Sequence, residues 1–250
     1  AEPVVNGPFR ALRPILSPDS KRMAFLSDKD GGWKLFEMAL EDCGGMKAGD
    51  IRQITYHTES VSPSHYTSDG KFMVCLVHRD HKTAACSTED SGLRIALIPM
   101  ERRAQEDFVF DAPALDPALS PDGNKILFVA RGERGNFMYR KRTAPSFTSF
   151  AGKIWLYDRN NDSFKALIDR KEDARGPIWA PDSEGFYYMN DEGGVRNIVY
   201  HDLKSGKERK VTSFKGDHIF TPTLSANGKM MIVRQGFDFW RFDPRGKNVK

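Results

Sequence analysis

The stretch Ser120-Pro121-Asp122-Gly123-Asn124-Lys125-Ile126-Leu127-Phe128-Val129 sets the fold of this chain. An Asp-Gly pair admits the positive φ of a tight hairpin, and the Asp carboxylate accepts backbone amides inside the turn. The four apolar residues that follow are too few for a helix and too continuous for a half-exposed strand. They read as a strand covered on both faces. The same turn recurs as Ser17-Pro18-Asp19-Ser20, Ser68-Asp69-Gly70, Ala180-Pro181-Asp182-Ser183 and Ala226-Asn227-Gly228. Its acidic or Asn positions are 50, 53, 60 and 45 residues apart, a period near 45 with insertions.

The flanks repeat too. Apolar runs follow each turn at 23–26, 72–77, 126–129, 186–189 and 230–233. More alternating third strands lie at 33–38, 93–98, 154–157, 197–200 and 239–242. Outer strands close four units at 51–55, 108–110, 164–168 and 209–212. This pattern predicts an all-β β-propeller of about five four-stranded antiparallel blades. The 250 residues then form one propeller domain, with blades at about 11–58, 59–110, 111–172, 173–217 and 218–250. The last unit runs out before its outer strand, which Pro3-Val4-Val5 within residues 1–10 could supply to close a five-bladed ring. The alternative is a portion of a six- or seven-bladed ring, since an unsealed ring exposes a sheet edge.

Composition narrows the function classes. With 39% hydrophobic and 29% charged residues, 14 prolines and 21 glycines, the chain reads as a turn-rich globular protein. A net charge of +4 without a basic stripe points away from nucleic acid, and no apolar run is long enough for a membrane helix. The start Ala1-Glu2-Pro3 fits a processed exported chain or a trimmed one. Of the three cysteines, Cys75 and Cys86 could bridge one hairpin insertion, or all could be thiols.

No G-x-S-x-G nucleophile elbow occurs, and no catalytic set is expected within the chain. His78-Arg79-Asp80-His81 is the one histidine cluster; it reads as strand end plus loop, so no metal and no cofactor are expected. His57, His65, His201 and His218 sit singly beside strand ends. Asp19, Asp69, Asp122 and Asp182 are explained by their turns, and the innermost strands at 13–16 and 222–224 hold no acid. Glycosidase chemistry, which needs facing carboxyls, is therefore the weakest alternative. The tryptophans Trp33, Trp155, Trp179 and Trp240 recur at equivalent strand positions and read as interblade packing.

The longest insertion carries the candidate ligand loop: Arg131, Arg134, Tyr139, Arg140, Lys141 and Arg142, with five basic residues in twelve. Long loops in compact domains are often functional, and arginine pairs carboxylates bidentately. A peptide or an acidic patch of a protein partner is the natural ligand; a solvated hairpin packed through Phe147 and Phe150 is the structural alternative.

These residues carry a resemblance. The S-P-D-G strands, with Tyr139-Arg140-Lys141-Arg142 leading into Lys153-Ile154-Trp155-Leu156-Tyr157-Asp158 and then Pro177-Ile178-Trp179-Ala180-Pro181-Asp182, resemble the N-terminal propeller of tricorn-like serine peptidases. They are also similar to the periplasmic propeller of the Tol system. The chain departs from the peptidase pattern at Arg142-Thr143, where that family usually has an aromatic or His. The first likeness implies a non-catalytic substrate filter or docking surface, with a serine peptidase domain further along the parent polypeptide. The second implies a free-standing protein-interaction propeller. Either implies a periplasmic or secreted location.

Overall fold

The computed structural model describes residues 5, 7–40, 51–56, 61–78, 93–101, 107–110, 114–131 and 152–246. Among the described residues, nineteen strands form five antiparallel meander sheets. The first holds β1 (Ala11–Leu16), β2 (Arg22–Ser27), β3 (Lys34–Ala39) and β4 (Arg52–Gln53). The second holds β5 (Val61–Tyr66), β6 (Phe72–His78), β7 (Leu93–Pro99) and β8 (Asp107–Phe108). The third is β9 (Leu115–Leu119), β10 (Lys125–Arg131), β11 (Gly152–Asp158) and β12 (Ser163–Ile168). The fourth is β13 (Ala174–Trp179), β14 (Gly185–Asn190), β15 (Asn197–Asp202) and β16 (Glu208–Lys210). The fifth has three strands among the described residues: β17 (Ile219–Leu224), β18 (Met231–Gln235) and β19 (Asp238–Phe242). Each sheet is a propeller blade in its strand order. The chain divides into two compact units, Ala1–Leu115 and Asp116–Lys250, taken separately below.

The repeated turn has one geometry. In the first sheet the Ser17 hydroxyl donates to Asp19 Oδ1 (2.5 Å) and accepts from the Arg22 amide (2.9 Å), while Asp19 Oδ1 accepts from the Lys21 amide (3.1 Å). Thr67 and Asp69, Ser120 and Asp122, and Ser225 and Asn227 repeat this arrangement. In the fourth turn Ala180 lacks the hydroxyl, and only the Asp182 bond to the Glu184 amide remains (2.9 Å). The hydroxyl and amide bonds hold the Asp19, Asp69 and Asp122 carboxyls below their ordinary range. The residue after the turn Asp or Asn is left-handed in all five sheets: Gly70, Gly123 and Gly228 at φ 67–75°, but Ser20 and Ser183 at 58° and 59°.

A second repeat, missed in the sequence, lies in the innermost strands. Arg13-Pro14, Asp116-Pro117, Gly176-Pro177 and Thr221-Pro222 each place a residue of positive φ (46–56°) directly before a proline. The ladder slips at three of these strands, between Leu12 and Ile15, Arg175 and Ile178, and Phe220 and Thr223. Proline has no N–H to give the ladder, so a bulge is where a strand tolerates it. The second sheet has Ser62-Pro63 one residue further from its turn. Its ladder slips between Pro63 and His65, without the left-handed residue.

Stacking follows from the apolar runs. In the first unit Ala24 and Leu35 meet Val61, Met73, Cys75 and Ala96 of the second sheet. The other face of the first sheet gathers Met23, Phe25, Phe36 and Met38, with Val5 packed against them. Val5 is thus placed on the first sheet's face; Pro3 and Val4 lie outside the described residues. The two sheets are also joined by a buried carboxylate. Glu37 takes Arg22 (3.2 Å), Arg52 (2.5 Å) and the Tyr66 hydroxyl (3.0 Å). Arg22 and Arg52 donate onward to the carbonyls of Gly70 and Met100. In the second unit Ala180, Tyr187 and Ile198 pack on Ile219, Met231 and Val233, and the Trp179 indole donates to the Ala118 carbonyl of the third sheet (2.8 Å). The expectation of burial on both faces fails for β18. Met231 and Val233 are buried, but Met230 and Ile232 are exposed, because no described strand covers that side.

Two outcomes follow. Ser20→Gly or Ser183→Gly removes a left-handed penalty of about 1 kcal/mol and should raise the thermal midpoint, whereas Gly123→Ala should lower it by a similar energy. Glu37→Ala leaves two one-third-exposed arginines with only their carbonyl bonds and should cost about 1.5–3 kcal/mol in urea unfolding. Tyr66→Phe, which leaves both ion pairs, should cost only about 1 kcal/mol.

Candidate functional site: the arginine–aromatic end of the second unit

The start of β11, the start of β13 and the β14–β15 loop of the second unit converge on Asp173. Its carboxylate, 8% exposed, accepts from the Gly152 amide (2.7 Å), pairs with Arg175, and receives Arg196 Nη2 at 3.4 Å. The Asp173 amide donates to Asp191 Oδ1 (2.7 Å), which fixes the start of the β14–β15 loop. That loop turns through Gly193 and Gly194, both at φ 85°. Gly152 is confined: a Cβ there would lie 2.6 Å from the Ala174 carbonyl and 2.8 Å from Val129 Cγ1.

Beyond Asp173, two arginines flank one ring. The Arg196 guanidinium lies 5.9 Å from the Phe220 centroid and that of Arg234 lies 5.3 Å from it. Arg196 Nε has no hydrogen-bond acceptor among the described residues. His218 packs edge-on to Phe220, and its Nδ1 accepts the Arg196 amide (3.1 Å), so the ring's proton sits on Nε2 when it is neutral. Phe237, at the tip of the β18–β19 hairpin, is fully exposed, and Phe239 is 73% exposed. Arginine forks with unused donors beside exposed aromatic rings bind carboxylates and flat apolar groups together.

The predicted loop is rooted here. Arg131 ends β10 opposite Gly152, whose amide is held by Asp173. The Arg131 side chain, with Arg134, Tyr139, Arg140, Lys141 and Arg142, lies outside the described residues. So do Cys43, Cys86, His57, His81 and the His78 side chain. The sequence reading missed Arg196, His218, Phe220 and Arg234. They are scattered over 39 positions, and only the chain fold brings them together. It also overlooked an acid on an innermost strand: Asp116 of β9, whose Oδ2 accepts the Gly176 amide (3.2 Å).

The remaining charged clusters are structural. Glu208 takes the Tyr188 hydroxyl (2.9 Å) and Arg170 (2.6 Å). Burial would raise its carboxyl, but the Arg170 and Tyr188 bonds hold it below the usual range. Burial first, then Glu208, pushes the Tyr188 phenol upward. His201 is buried against Phe186 with Nδ1 3.4 Å from Glu208. Among the described residues no three His, Cys, Asp or Glu side chains are grouped to hold a metal ion.

No protein-family model matches the chain. Tricorn protease of Thermoplasma volcanium is 24% identical over 208 residues, 82% of this chain and 18% of that protein. The Tol-Pal system protein TolB of Aromatoleum aromaticum is 27% identical over 214 residues, 84% of this chain and 44% of that protein. A solved structure assigned to TolB of Agrobacterium tumefaciens superposes with a TM-score of 0.68 at 14% identity, covering 97% of this chain and 74% of that one. The chain therefore has a β-propeller fold related at low identity to peptidase-associated and TolB-like propellers. It spans under half the length of these curated relatives.

His65 of β5 in the first unit gives a pH outcome. Desolvation at this half-buried position pushes its imidazole from 6.5 down to about 4. A base with a depressed folded value stabilises fully above its unfolded value and loses that contribution as pH falls toward the folded one. The urea midpoint should therefore drop between pH 7 and pH 5. His65→Gln should flatten that interval, in which ordinary carboxyls have yet to titrate.

Proposed function

We propose that this chain is a protein-interaction propeller of the TolB-like kind. On this reading it recognises an acidic, extended segment of a partner protein at the Arg196–Phe220–Arg234 end of its second unit. The observation that carries the reading is the pair of guanidinium groups flanking one ring, with a fully exposed Phe237 on the adjoining hairpin. Interface energy concentrates in such arginine and aromatic anchors. On this reading the loop residues Arg131, Arg134, Tyr139, Arg140, Lys141 and Arg142 would contribute to recognition, since the backbone ends of their insertion, Arg131 and Gly152, pair beside Asp173. The kinship to TolB also supports a periplasmic or secreted location for the protein.

A second reading rests on the tricorn match, which runs over 82% of the chain. The same surface would then dock peptide for a peptidase domain elsewhere in the parent polypeptide. Labelling of the native full-length protein by a fluorophosphonate, outside these 250 residues, separates this reading from the first.

The test is fluorescence polarisation with a labelled Asp/Glu-rich peptide carrying one Trp, against its Lys-substituted counterpart. The acidic peptide should bind, with affinity falling as salt rises. Arg196→Ala and Arg234→Ala should each weaken it about tenfold, and Phe237→Ala by a few-fold. Equal binding of both peptides, or no loss in the arginine variants, would overturn the assignment.

A further inference from the structure

A cleft of about 250 Å³ opens on the fourth sheet beside this surface, but it is lined by none of Arg196, Phe220 and Arg234. Its wall includes Asn190, the last residue of β14, 3% exposed. The Asn190 Oδ1 accepts the Glu192 amide at 2.7 Å, which fixes the orientation of the side-chain amide. That leaves Nδ2 as the buried donor, and it has no acceptor among the described residues. Neighbouring polar groups are already engaged. Asn197 Oδ1 accepts from Thr212 Oγ1 (2.9 Å) and from the Phe214 amide (2.7 Å), and its Nδ2 donates to the Phe214 carbonyl (3.1 Å). Thr212 Oγ1 accepts the Ile198 amide (2.9 Å). An unpaired buried donor is costly and is uncommon in a settled structure.

The rest of the lining says what would satisfy it. Val195, Val199 and Phe214 give the lining its apolar part, and Ser213, Lys210 and Lys215 add a hydroxyl residue and two cationic ones. Glu192 neutralises Lys210 in part, Nζ to Oε2 being 3.5 Å, so the balance at the cleft is one positive charge. One buried N–H donor, one net positive charge and a short apolar wall match a single carboxylate on two or three methylenes. The volume is small for a whole cofactor and suits a group of that size.

We propose that this cleft is a carboxylate subsite. It takes a short-chain carboxylate, either a free aliphatic acid or the glutamate side chain of a bound peptide, with Asn190 Nδ2 as the buried donor and Lys210 and Lys215 as the charge partners. The glutamate form deepens the interaction reading above and rests on it; the free-acid form does not.

The experiment titrates the ¹⁵N-labelled chain with sodium butyrate, with acetyl-Ala-Glu-Ala-amide and with its Gln counterpart, following the Asn190 side-chain NH₂ and the Gly193, Ser213 and Lys215 amides. Saturable shifts with butyrate are expected, and the Gln peptide should bind at least about tenfold more weakly than the Glu peptide. Tighter binding of the Glu peptide than of butyrate assigns the subsite to a bound chain, and the reverse order assigns it to free acids. Asn190→Ala should abolish the shifts. Because that variant opens the interior, the surface double variant Lys210→Ala/Ser213→Ala serves as a second reading, with about a tenfold loss. Arg196→Ala/Arg234→Ala should leave butyrate binding unchanged, so failure of the interaction surface and failure of the subsite are read separately. No saturable shift at tens of millimolar butyrate, or measurable and equal binding of the Glu and Gln peptides, would overturn the subsite and leave a bound water as the partner of Asn190.

Discussion

A sheet whose second strand is apolar on both faces can stand only between other layers, and most of this molecule follows from that constraint. In β2, Ala24 is covered by the second sheet while Met23 and Phe25 lie in a separate cluster on the opposite face. In β14, Tyr187 packs toward the fifth sheet, and Phe186 and Tyr188 lie on the other side with His201. Near-continuous apolarity is thus a demand for two neighbours, and repeating it every fifty residues or so produces a stack of blades. Two carboxylates are held within the stack by specific partners. Glu37 and Glu208 each sit between a tyrosine hydroxyl and arginine, which ties one strand to another at defined points rather than by area alone.

Much of this was legible in the residues. The Asp-Gly and Asp-Ser turns announce themselves because few side chains tolerate a left-handed φ, and the apolar runs behind them identify the second strands. Less legible was the role of the hydroxyl two residues before the acid, which Ser17, Thr67, Ser120 and Ser225 supply and Ala180 does not. The X-Pro bulges went unread as well, although the proline precedes the turn Asp or Asn by five residues in four sheets. A proline in a strand argues against a central ladder position, and only the paired register shows the slips at Pro14, Pro63, Pro177 and Pro222. Strain of this kind, above all at Thr221 with φ 47°, is stored where the chain must re-aim a side chain.

The candidate site was legible only in its chemistry. The basic insertion from Arg131 to Arg142 pointed to an acidic or peptide ligand, and its roots lie at Asp173, beside the described arginines. Arg196 and Arg234 carry no sequence signal, because their neighbours along the chain are ordinary loop and strand residues. Their pairing over Phe220 arises from adjacent sheets within one unit. The same holds for Asn190, which reads as a polar strand end until its carbonyl oxygen is seen engaged and its amino group unmatched.

Site-specific photo-crosslinking tests the central claim, that the arginine–aromatic end of the second unit is where a partner chain lies. Benzoylphenylalanine would replace Phe237 in one protein and the exposed Phe164 of β12 in another, each irradiated with the acidic peptide and mapped by mass spectrometry. The account predicts a peptide adduct at 237, competed by unlabelled peptide, and none at 164. Equal adducts at both positions, or an adduct at 164 alone, would contradict it.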